Sequence, residues 1–551
     1  TGAPPTTAAW TRWLGPGLLI AIALVWLDVC LDVGRHLGVA RNSSYQGVFF
    51  SVAGLAVVAL GWQARALTSR VHRVFLGVLL AALVASSLTS QSHQLRSIGT
   101  SSQVQLWGVF HYYLGAKYFD ELGYHGLYEQ TLVADKESTR RLLKVQLVRN
   151  LSTYQREKAS RYRDLPRSAA WTDARWEEFK KDLGWFLERR DPVFWANIIV
   201  DRGYNPSPAW HAIGSTLVAH LRVDVRWQQT LLMLFDPLLL LAAFGLSVRA
   251  WGWTRSLLVA FAFVSWFGNA GRLFGQIWIY DWFAASWAGL ACWRLGWPIR
   301  AGLLVGYATM VRVFPGLLLL GPMVVGVWGL VVRRHVDRAL LRLGMGALAA
   351  ALLLFVAGSM STTRGVAAWG DFLSNVSHHS EEHAFGSKRV GLKHALGFGF
   401  ADGLGKKKPD KHSNRVNVGK NKGIERALQL LALVFFVLGL RRTNRQDLLL
   451  SGLPLLFFLT VASRYYGSIW VLLLLLGVSR GGHATSGEEP VPGAGRPVAR
   501  QLFDLGLFAI GVLFYAMPDR GPEGIHQYMY TNVLLGGWLL LLLGWPGPWL
   551  G

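Results

Sequence analysis

The stretch "QQTLLMLFDPLLLLAAFGLSV", residues 228–248, is long and apolar enough to cross a lipid bilayer as one helix, since a spanning helix needs about 20 mainly apolar residues. It contains Asp236, and Asp281 lies in a similar block; acids inside spans usually face a cavity or a partner rather than lipid. Apolar blocks of this kind recur near 14–31, 47–63, 74–90, 228–248, 256–272, 276–293, 301–312, 316–332, 344–360, 427–440, 448–463, 467–479, 501–517 and 533–549. They predict an all-α fold, a polytopic transmembrane helical bundle of about 12–14 spans.

Composition supports a membrane protein and argues against nucleic-acid binding. The chain is 52% hydrophobic with a formal net charge of +24. Nucleic-acid-binding proteins concentrate such charge on one soluble face, whereas here short arginine clusters are spread between apolar blocks. Cys30 and Cys292 lie in apolar segments, so neither a disulfide framework nor a Cys-type zinc site is available. Richness in Leu, Ala, Gly and Arg is typical of a high-GC bacterium, so we expect a multi-pass protein of the cell inner membrane.

Arginine-rich loops set the expected orientation. They follow alternate apolar blocks, and basic residues mark cytoplasmic loops, so both termini are expected inside. The first apolar block has no small-residue cleavage site after it, so it is expected to be a span rather than a cleavable signal peptide. The resulting organisation is N-terminal transmembrane helices 1–90, an extracytoplasmic loop region 91–226, a transmembrane core 227–360, an extracytoplasmic loop 361–426, a further transmembrane core 427–479, a cytoplasmic linker 480–500 and a C-terminal transmembrane helix pair 501–551.

The first extracytoplasmic loop contains "FHYYLGAKYFDELGYHGLYE", residues 110–129, which is rich in aromatic residues, acids and histidines. Aromatic rings on a helix at the membrane interface explain part of this pattern. Acids beside aromatics also suit a sugar site, where carboxylates accept hydroxyl protons and rings stack on the sugar. A charged helical run around 136–190 follows, with amphipathic spacing that predicts contact with the membrane face or the bundle. "DRGYNPSPAWHAIG", residues 201–214, predicts a turn into a helix, with Asp201 and His211 as candidates to border an acceptor site.

Several motifs occur in an order that resembles a known class of membrane enzymes. They are "HYYLGAKYFDELGYHGLY" (111–128), "FGQIWIYDWFAASWAGLA" (274–291), "RAGLLVGYATMVRVFPGLLLLGP" (300–322) and "SRYYGSIWVLLLLL" (463–476). This set resembles the integral-membrane GT-C glycosyltransferases, closest to the polyprenol-phosphate-mannose-dependent mannosyltransferases. In the third motif Arg312 stands where the family has lysine, and Pro315 is retained.

The resemblance implies sugar transfer from a polyprenyl-phosphate donor at the outer membrane face, with an outer-loop aspartate as general base. One departure concerns that base: the position expected to carry the aspartate, a few residues before the paired tyrosines, holds Gly108 or Val109. Either Asp120 or Glu121 takes over, or Asp201 or Asp371 supplies the acid, or the protein is a non-catalytic subunit of a larger membrane complex. We favour Asp120 as catalytic residue because, on a continuous helix, it lies seven residues after Tyr113 and shares its face.

The other candidate site residues would bind substrate. Arg312 lies between two short apolar segments, where a guanidinium suits bidentate pairing with a lipid phosphate; an ordinary interfacial arginine is the alternative. Arg464 has the same two interpretations. The substrate-binding set is completed by Tyr112, Tyr113, Tyr465, Asp201 and His211. The expected partners are the lipid-linked sugar donor, membrane lipids and, for the subunit alternative, other membrane proteins; no nucleic acid and no cofactor is expected.

Two further hypotheses receive less support. "HSEEH", residues 379–383, fits a zinc-peptidase pattern, but that chemistry needs both histidines one turn apart on a buried helix and a third ligand. The run lies in a polar segment with Gly386 close behind, so we expect a solvated loop and no metal. A transporter would need a polar path across the bilayer, for which Asp236 and Asp281 are the indications.

Overall fold

The structure, a computed structural model, describes most of the chain beyond the first hundred residues. The described residues are 103–476 without 267–268, 270–272, 385–388, 398–410 and 442, the segment 522–544, and single residues 80, 81, 84, 85, 98, 100, 506 and 510. Apart from those single positions, the spans predicted at 14–31, 47–63, 74–90 and 501–517 and the linker 480–500 lie outside the described residues. The described part is mostly helical, with two short antiparallel strand pairs.

Residues 103–224 form a compact unit of short elements, here called the loop module. Its elements are α1 Leu106–Val109, a π-helical turn Phe110–Leu114, α2 Gly115–Lys117, α3 Phe119–Leu122, α4 Leu127–Glu137, β1 Leu147–Arg149, β2 Arg156–Lys158, α5 Ser160–Arg163, α6 Asp173–Leu187, α7 Pro192–Ile198 and α8 Pro208–His220. The turn predicted before α8 is present: Ser207 is the N-cap, its side chain accepts a hydrogen bond from Trp210 N, and Pro208 occupies the first helical turn, where a missing N–H costs nothing.

The expected charged helical run around 136–190 is wrong in detail. An antiparallel pair, β1 with β2, interrupts it, and only α6 is a helix of some length. The apolar face of α6 does not lie on the membrane or the bundle. It packs on the aromatic stretch 110–129, with ring centroids 5.7 Å apart for Phe110 and Phe186 and 5.1 Å apart for Tyr118 and Phe179. Most aromatics of that stretch are therefore core, because two amphipathic segments bury their rings against each other.

The remaining described helices and strands form the bundle and its connections. They are α9 Arg226–Trp251, α10 Trp253–Val264, α11 Asp281–Arg294, α12 Pro298–Val311, a 3₁₀ turn Phe314–Gly316, α13 Leu317–Val331, α14 Arg338–Met360, α15 Ala367–Ala384, β3 Arg389–Val390, α16 Leu392–Leu396, α17 Lys411–Lys420, α18 Lys422–Leu440, a 3₁₀ turn Arg445–Asp447, α19 Leu455–Leu459, β4 Ala462–Ser463, a 3₁₀ helix Tyr466–Leu475 and α20 Pro522–Gly544.

Four helices in the described part are long and apolar enough to cross a membrane: Arg226–Trp251, Phe314–Val331, Arg338–Met360 and Lys422–Leu440. Their outward faces carry large apolar side chains, such as Leu241, Val331 and Leu353, which are 64%, 69% and 69% exposed. Water would disfavour such continuous apolar faces and lipid would not. The span predicted at 448–463 is not one helix, since only α19 and β4 are regular there.

The bundle is built around α11, all of whose residues are buried. Next to it α12 crosses α14 at very close range. A Cβ on Gly302 would lie 2.0 Å from Leu343 O, and one on Gly346 would lie 2.3 Å from Ile299 O. Glycine at both positions lets the two backbones touch, which is how helices commonly pack in membranes. This packing fixes the end of α12, where Arg312 begins the connection to α13.

Candidate functional site

A cavity of about 550 Å³ lies where the loop module meets the bundle. One wall comes from α1, the π-helical turn and the segment after α7; the other comes from the segment before α11, the end of α12 and the connection through β3 and β4. The lining residues are Gln105, Trp107, Gly108, His111, Tyr112, Asp201, Arg202, Gly203, Asn205, Gln276, Ile279, Arg312, Arg389, Ser463, Arg464, Tyr465 and Tyr466.

The cavity is strongly basic. Among the described residues, four guanidiniums, those of Arg202, Arg312, Arg389 and Arg464, line it together with one carboxylate, that of Asp201. The strand pair β3–β4 places two of the four on one side, because Arg389 pairs with Ser463 in the sheet register. Several guanidiniums around one space favour an anionic ligand with several acceptor oxygens, such as a phosphate.

Arg312 is buried within the protein and does not face lipid. Its side chain is 8% exposed, and its Nη2 donates to Tyr112 Oη at 2.9 Å. Its Nε is buried without a hydrogen-bond partner among the described residues. A buried guanidinium nitrogen without a partner is costly unless a ligand or water satisfies it, which indicates that the cavity is built to be filled by an acceptor.

Asp201 accepts a hydrogen bond from α1 and is followed by a backbone segment that is bonded to the aromatic stretch. Trp107 Nε1 donates to Asp201 Oδ2 at 2.7 Å. His111 Nδ1 lies 2.7 Å from Trp107 O; because a carbonyl only accepts, Nδ1 carries the proton and Nε2 accepts from Tyr128 Oη, also at 2.7 Å. Tyr128 Oη in turn accepts from Gly203 N at 2.9 Å. These bonds tie the Asp201 carboxylate to α1, and they tie the Gly203 backbone through Tyr128 to the π-helical turn, so the carboxylate has a fixed direction.

Burial keeps the histidine of this network neutral. Desolvation lowers the pKa of His111 below its usual value, against the opposing effect of the Asp201 charge. A neutral imidazole is needed for the arrangement just described, since a protonated ring would have no acceptor nitrogen for the Tyr128 hydroxyl.

The floor of the cavity is a constrained segment before α11. Trp278 has φ = 53°, a conformation that large side chains rarely adopt. Its backbone O accepts from Trp210 Nε1 at 2.9 Å. The next two backbone amides, of Ile279 and Tyr280, donate to Asp236 at 2.8 and 2.9 Å. Asp236 thus fixes this segment from below.

Asp281 accepts from Tyr307 Oη at 2.8 Å. It and Asp236 are both buried, and neither lines the cavity. Their hydrogen bonds to Ile279, Tyr280 and Tyr307 hold neighbouring segments in place and form no polar path across the described part of the bundle. The transporter hypothesis therefore gains no further support.

Gly108 marks the position where the resemblance leads us to expect an aspartate. A Cβ on Gly108 would lie only 2.0 Å from Gln276 Oε1. The Gln276 side chain therefore occupies the space into which a side chain at 108 would project. The neighbouring candidate, Val109, is fully buried. This part of the cavity wall consequently presents an amide instead of a carboxylate.

The structure brings together Tyr112, Asp201, Arg312, Arg464 and Tyr465, all predicted to bind substrate. It does not bring Tyr113 or His211 to the cavity. Tyr113 is buried on the opposite side of the turn, where its hydroxyl accepts from Val223 N at 3.4 Å. His211 is 2% exposed and lies 3.0 Å from Tyr204 Oη through Nδ1.

Neither of the residues favoured as catalytic lines the cavity. Asp120 Oδ1 accepts from Thr362 Oγ1 and Thr363 N, each at 2.9 Å, so it holds the turn between α14 and α15. Glu121 pairs with Arg175 at 2.7 Å. The expectation that Asp120 shares a helix face with Tyr113 is wrong because the helix is not continuous. A π-helical turn precedes α2, and Tyr118 leaves the helical conformation with φ = −120° and ψ = 31°. Asp371, a further alternative, pairs with Arg364.

Several lining residues were missed. Arg202 stands directly beside Asp201, and Arg389 lies in the segment 361–426, which was predicted to be an extracytoplasmic loop; only the pairing of β3 with β4 brings it here. Gln276 is signalled by its place in the motif 274–291, and Trp107 lies four residues before the motif 111–128.

The "HSEEH" run 379–383 is helical, within α15, and not a loop; its side chains lie outside the described residues. Among the residues that are described, no group of three or more His, Cys, Asp or Glu is placed to hold a metal ion. No protein-family profile, curated protein or solved structure matches this chain.

Proposed function

We propose that the chain is a GT-C-like glycosyltransferase that moves a sugar from a polyprenyl-phosphate-type donor to an acceptor at the outer face of the cell inner membrane. The observation that carries the proposal is the cavity in which one oriented carboxylate, Asp201, faces a group of guanidiniums. Sugar transfer from a lipid-linked donor needs both: a base for the acceptor hydroxyl and cations for the departing phosphate.

In this proposal Asp201 accepts the proton of the acceptor hydroxyl while the oxygen of that hydroxyl forms a bond to the anomeric carbon of the sugar. The bond between that carbon and the donor phosphate oxygen breaks, and the electron pair leaves with the phosphate. Arg312 and its neighbours stabilise the negative charge that develops there, which is the main contribution a preorganised site makes. Tyr112 and Tyr465 supply rings and hydroxyls for the sugar.

The surroundings of Arg312 suit a donor with a lipid tail. The guanidinium of Arg312 points into the cavity, while the next side chain, Val313, is 64% exposed. Adjacent residues thus face a polar cavity and an apolar exterior. A phosphate bound at Arg312 has a direct route for its hydrocarbon chain into the surrounding lipid, consistent with the apolar faces of α13 and α14.

The test is transfer by the purified, reconstituted full chain supplied with polyprenyl-linked sugars. Asp201→Asn keeps the shape and removes the base, so we expect transfer to slow by at least about a hundredfold, the lower end of what a general base contributes. Asp224→Asn is the matched control, because Asp224 forms an exposed pair with Arg222 away from the cavity. Asp120→Asn, the variant suggested by the sequence, forms a third arm and should retain transfer.

Two results would contradict the proposal. Transfer that is unchanged in Asp201→Asn and lost in Asp120→Asn would return the catalytic role to Asp120. Failure of the unmutated protein to transfer any lipid-linked sugar would favour the non-catalytic subunit.

A further inference from the structure

The cavity presents several guanidiniums to a ligand, which suits a donor with more than one phosphate. Among the described residues, four arginines and one aspartate line this space of about 550 Å³, and its histidine, His111, is held neutral by burial. A lipid–phosphate–sugar diester carries a single negative charge, whereas a lipid–diphosphate–sugar carries two and releases a lipid diphosphate that carries up to three.

Two of the arginines, Arg202 and Arg312, have no directly paired carboxylate in the described structure, although the Asp281 charge acts on Arg312 from a greater distance. Within the part of the chain that the structure describes, neither Arg202 nor Arg312 forms an ion pair, and the Arg202 guanidinium forms no hydrogen bond. Arg312 is 8% exposed and its Nε is buried without a partner. Two cations that line one cavity without a directly paired carboxylate are unfavourable unless a ligand balances them, which supports a ligand with at least two anionic groups.

The placement of these residues gives such a ligand a direction. Arg312 lies at the end of α12 beside the exposed Val313, on the lipid side of the cavity. Arg202 lies next to Asp201, the residue proposed to act at the sugar. A chain of lipid, first phosphate, second phosphate and sugar therefore runs from Arg312 towards Arg202, with Arg389 and Arg464 on the wall formed by β3 and β4.

We infer that the cavity binds a polyprenyl diphosphate, so that the donor is a lipid–diphosphate–sugar rather than the monophosphate that the sequence resemblance implies. Only the assignment of this lipid as the sugar donor rests on the proposed glycosyl transfer. The binding of a lipid diphosphate does not depend on it. The volume is sufficient, since sites for sugar-sized and nucleotide-sized ligands commonly measure about 300–1,000 Å³.

The experiment compares ligands by direct binding to the purified full chain in detergent at fixed ionic strength. The probes are polyprenyl diphosphate, polyprenyl phosphate, inorganic pyrophosphate and phosphatidylglycerol. We expect the lipid diphosphate to bind at least tenfold more tightly than the lipid monophosphate. Free pyrophosphate, which lacks the chain, should bind more weakly than the lipid diphosphate and compete with it, and phosphatidylglycerol should not compete at equal concentration.

Two arginine variants assign the preference to the cavity. Arg202→Gln should bring the ratio of the two affinities close to one while changing monophosphate binding less than threefold, because Arg202 meets the second phosphate. Arg222→Gln, an exposed arginine outside the cavity, should leave the ratio unchanged. The Arg202 side chain has no hydrogen bond to lose in the described structure, so its replacement is expected to fold.

Equal affinity for the two polyprenyl lipids, or a preference that survives Arg202→Gln, would overturn the inference. Transfer from a monophosphate donor alone would also overturn it and leave the proposed function standing. Preferential binding of the lipid diphosphate without transfer of any sugar would contradict the proposed function and leave this inference standing.

Discussion

In the proposed mechanism the Asp201 carboxylate needs one fixed direction, and Tyr128 supports it without lining the cavity. Tyr128 is the link between His111 and Gly203. Tyr128→Phe removes that link, leaves a buried imidazole nitrogen and an amide unpaired, and is expected to cost about 1–3 kcal/mol of stability. We expect kcat to fall about tenfold with KM little changed, because a misplaced group loses rate rather than binding.

Tyr118→Phe is the matched control for this positioning role. Tyr118 is equally buried and also loses a hydroxyl hydrogen bond, to Asp182 at 2.9 Å, but it does not line or contact the cavity wall. It should destabilise the protein to a similar degree and leave kcat per folded molecule unchanged. Equal losses of kcat in the two variants would mean that Tyr128 acts only through stability.

His211 gives the loop module a predictable response to acid. Burial lowers its pKa to about 4, below the ordinary value near 6.5. Between these two values the unfolded chain takes up a proton and the folded chain does not, so stability is complete above about pH 6.5 and is lost as the pH falls. At pH 5 the free energy of unfolding is lower by about 2 kcal/mol than above pH 6.5 because of this one histidine. Thermal unfolding of His211→Gln should therefore depend less on pH between 7 and 5.

His220→Gln tests whether that effect belongs to burial. His220 lies on the same helix, α8, but is exposed. Thermal unfolding of His220→Gln should therefore depend on pH as it does in the unmutated protein. A pH dependence that is the same in all three proteins would show that other groups control acid unfolding.

At the scale of elements, long apolar runs in the sequence predicted four helices that could cross a membrane, whereas helical periodicity gave the wrong phase for the aromatic stretch. Long apolar runs have one stable outcome in lipid, so α9, α13, α14 and α18 follow from composition. The phase of residues 110–122 depends on a π-helical turn and on Tyr118, which no pattern in the sequence indicates. Asp120 was consequently assigned to the face of Tyr113, and β3–β4 pairing across more than seventy residues could not be foreseen.

The contact between α1 and the segment before α11 makes a further element-scale prediction. Gly108→Ala places a methyl group against the Gln276 side chain and should destabilise the protein by about 1–3 kcal/mol, as overpacking usually does. Gln276→Ala should be less harmful in the Gly108→Ala background than in the parent, giving a coupling energy of about 1 kcal/mol or more. The measurement is the free energy of unfolding of the four proteins in one detergent.

Gly370→Ala is the control for the glycine effect itself. A Cβ there meets nothing within 4 Å, so alanine should be neutral or slightly stabilising in α15 because it is the better helix former. Additive effects of the Gly108 and Gln276 substitutions would show that the two side chains do not compete for the same space.

At the scale of the whole molecule, α13 separates the cavity from a basic turn. Arg312 and the loop module lie at the end of α12 and the start of α13. From there α13 runs to Val331, a distance of about 20 Å at 1.5 Å per residue. The turn that follows carries Arg333 and Arg334, and α14 begins at Arg338. The basic turn and the loop module therefore lie at opposite ends of α13, as a chain oriented by its basic loops requires.

That separation makes the orientation testable with single cysteines in a background lacking Cys30 and Cys292. Ser152 is exposed on the loop module and Arg333 is exposed on the basic turn. With a membrane-impermeant thiol reagent on intact spheroplasts, Ser152→Cys should be labelled, because the loop module is expected outside. Arg333→Cys should be labelled only after the membrane is permeabilised, since basic turns are retained in the cytoplasm. The reverse pattern would place the cavity on the cytoplasmic face and exclude transfer at the outer surface. Labelling of both sites in intact cells would show that α13 does not cross the membrane.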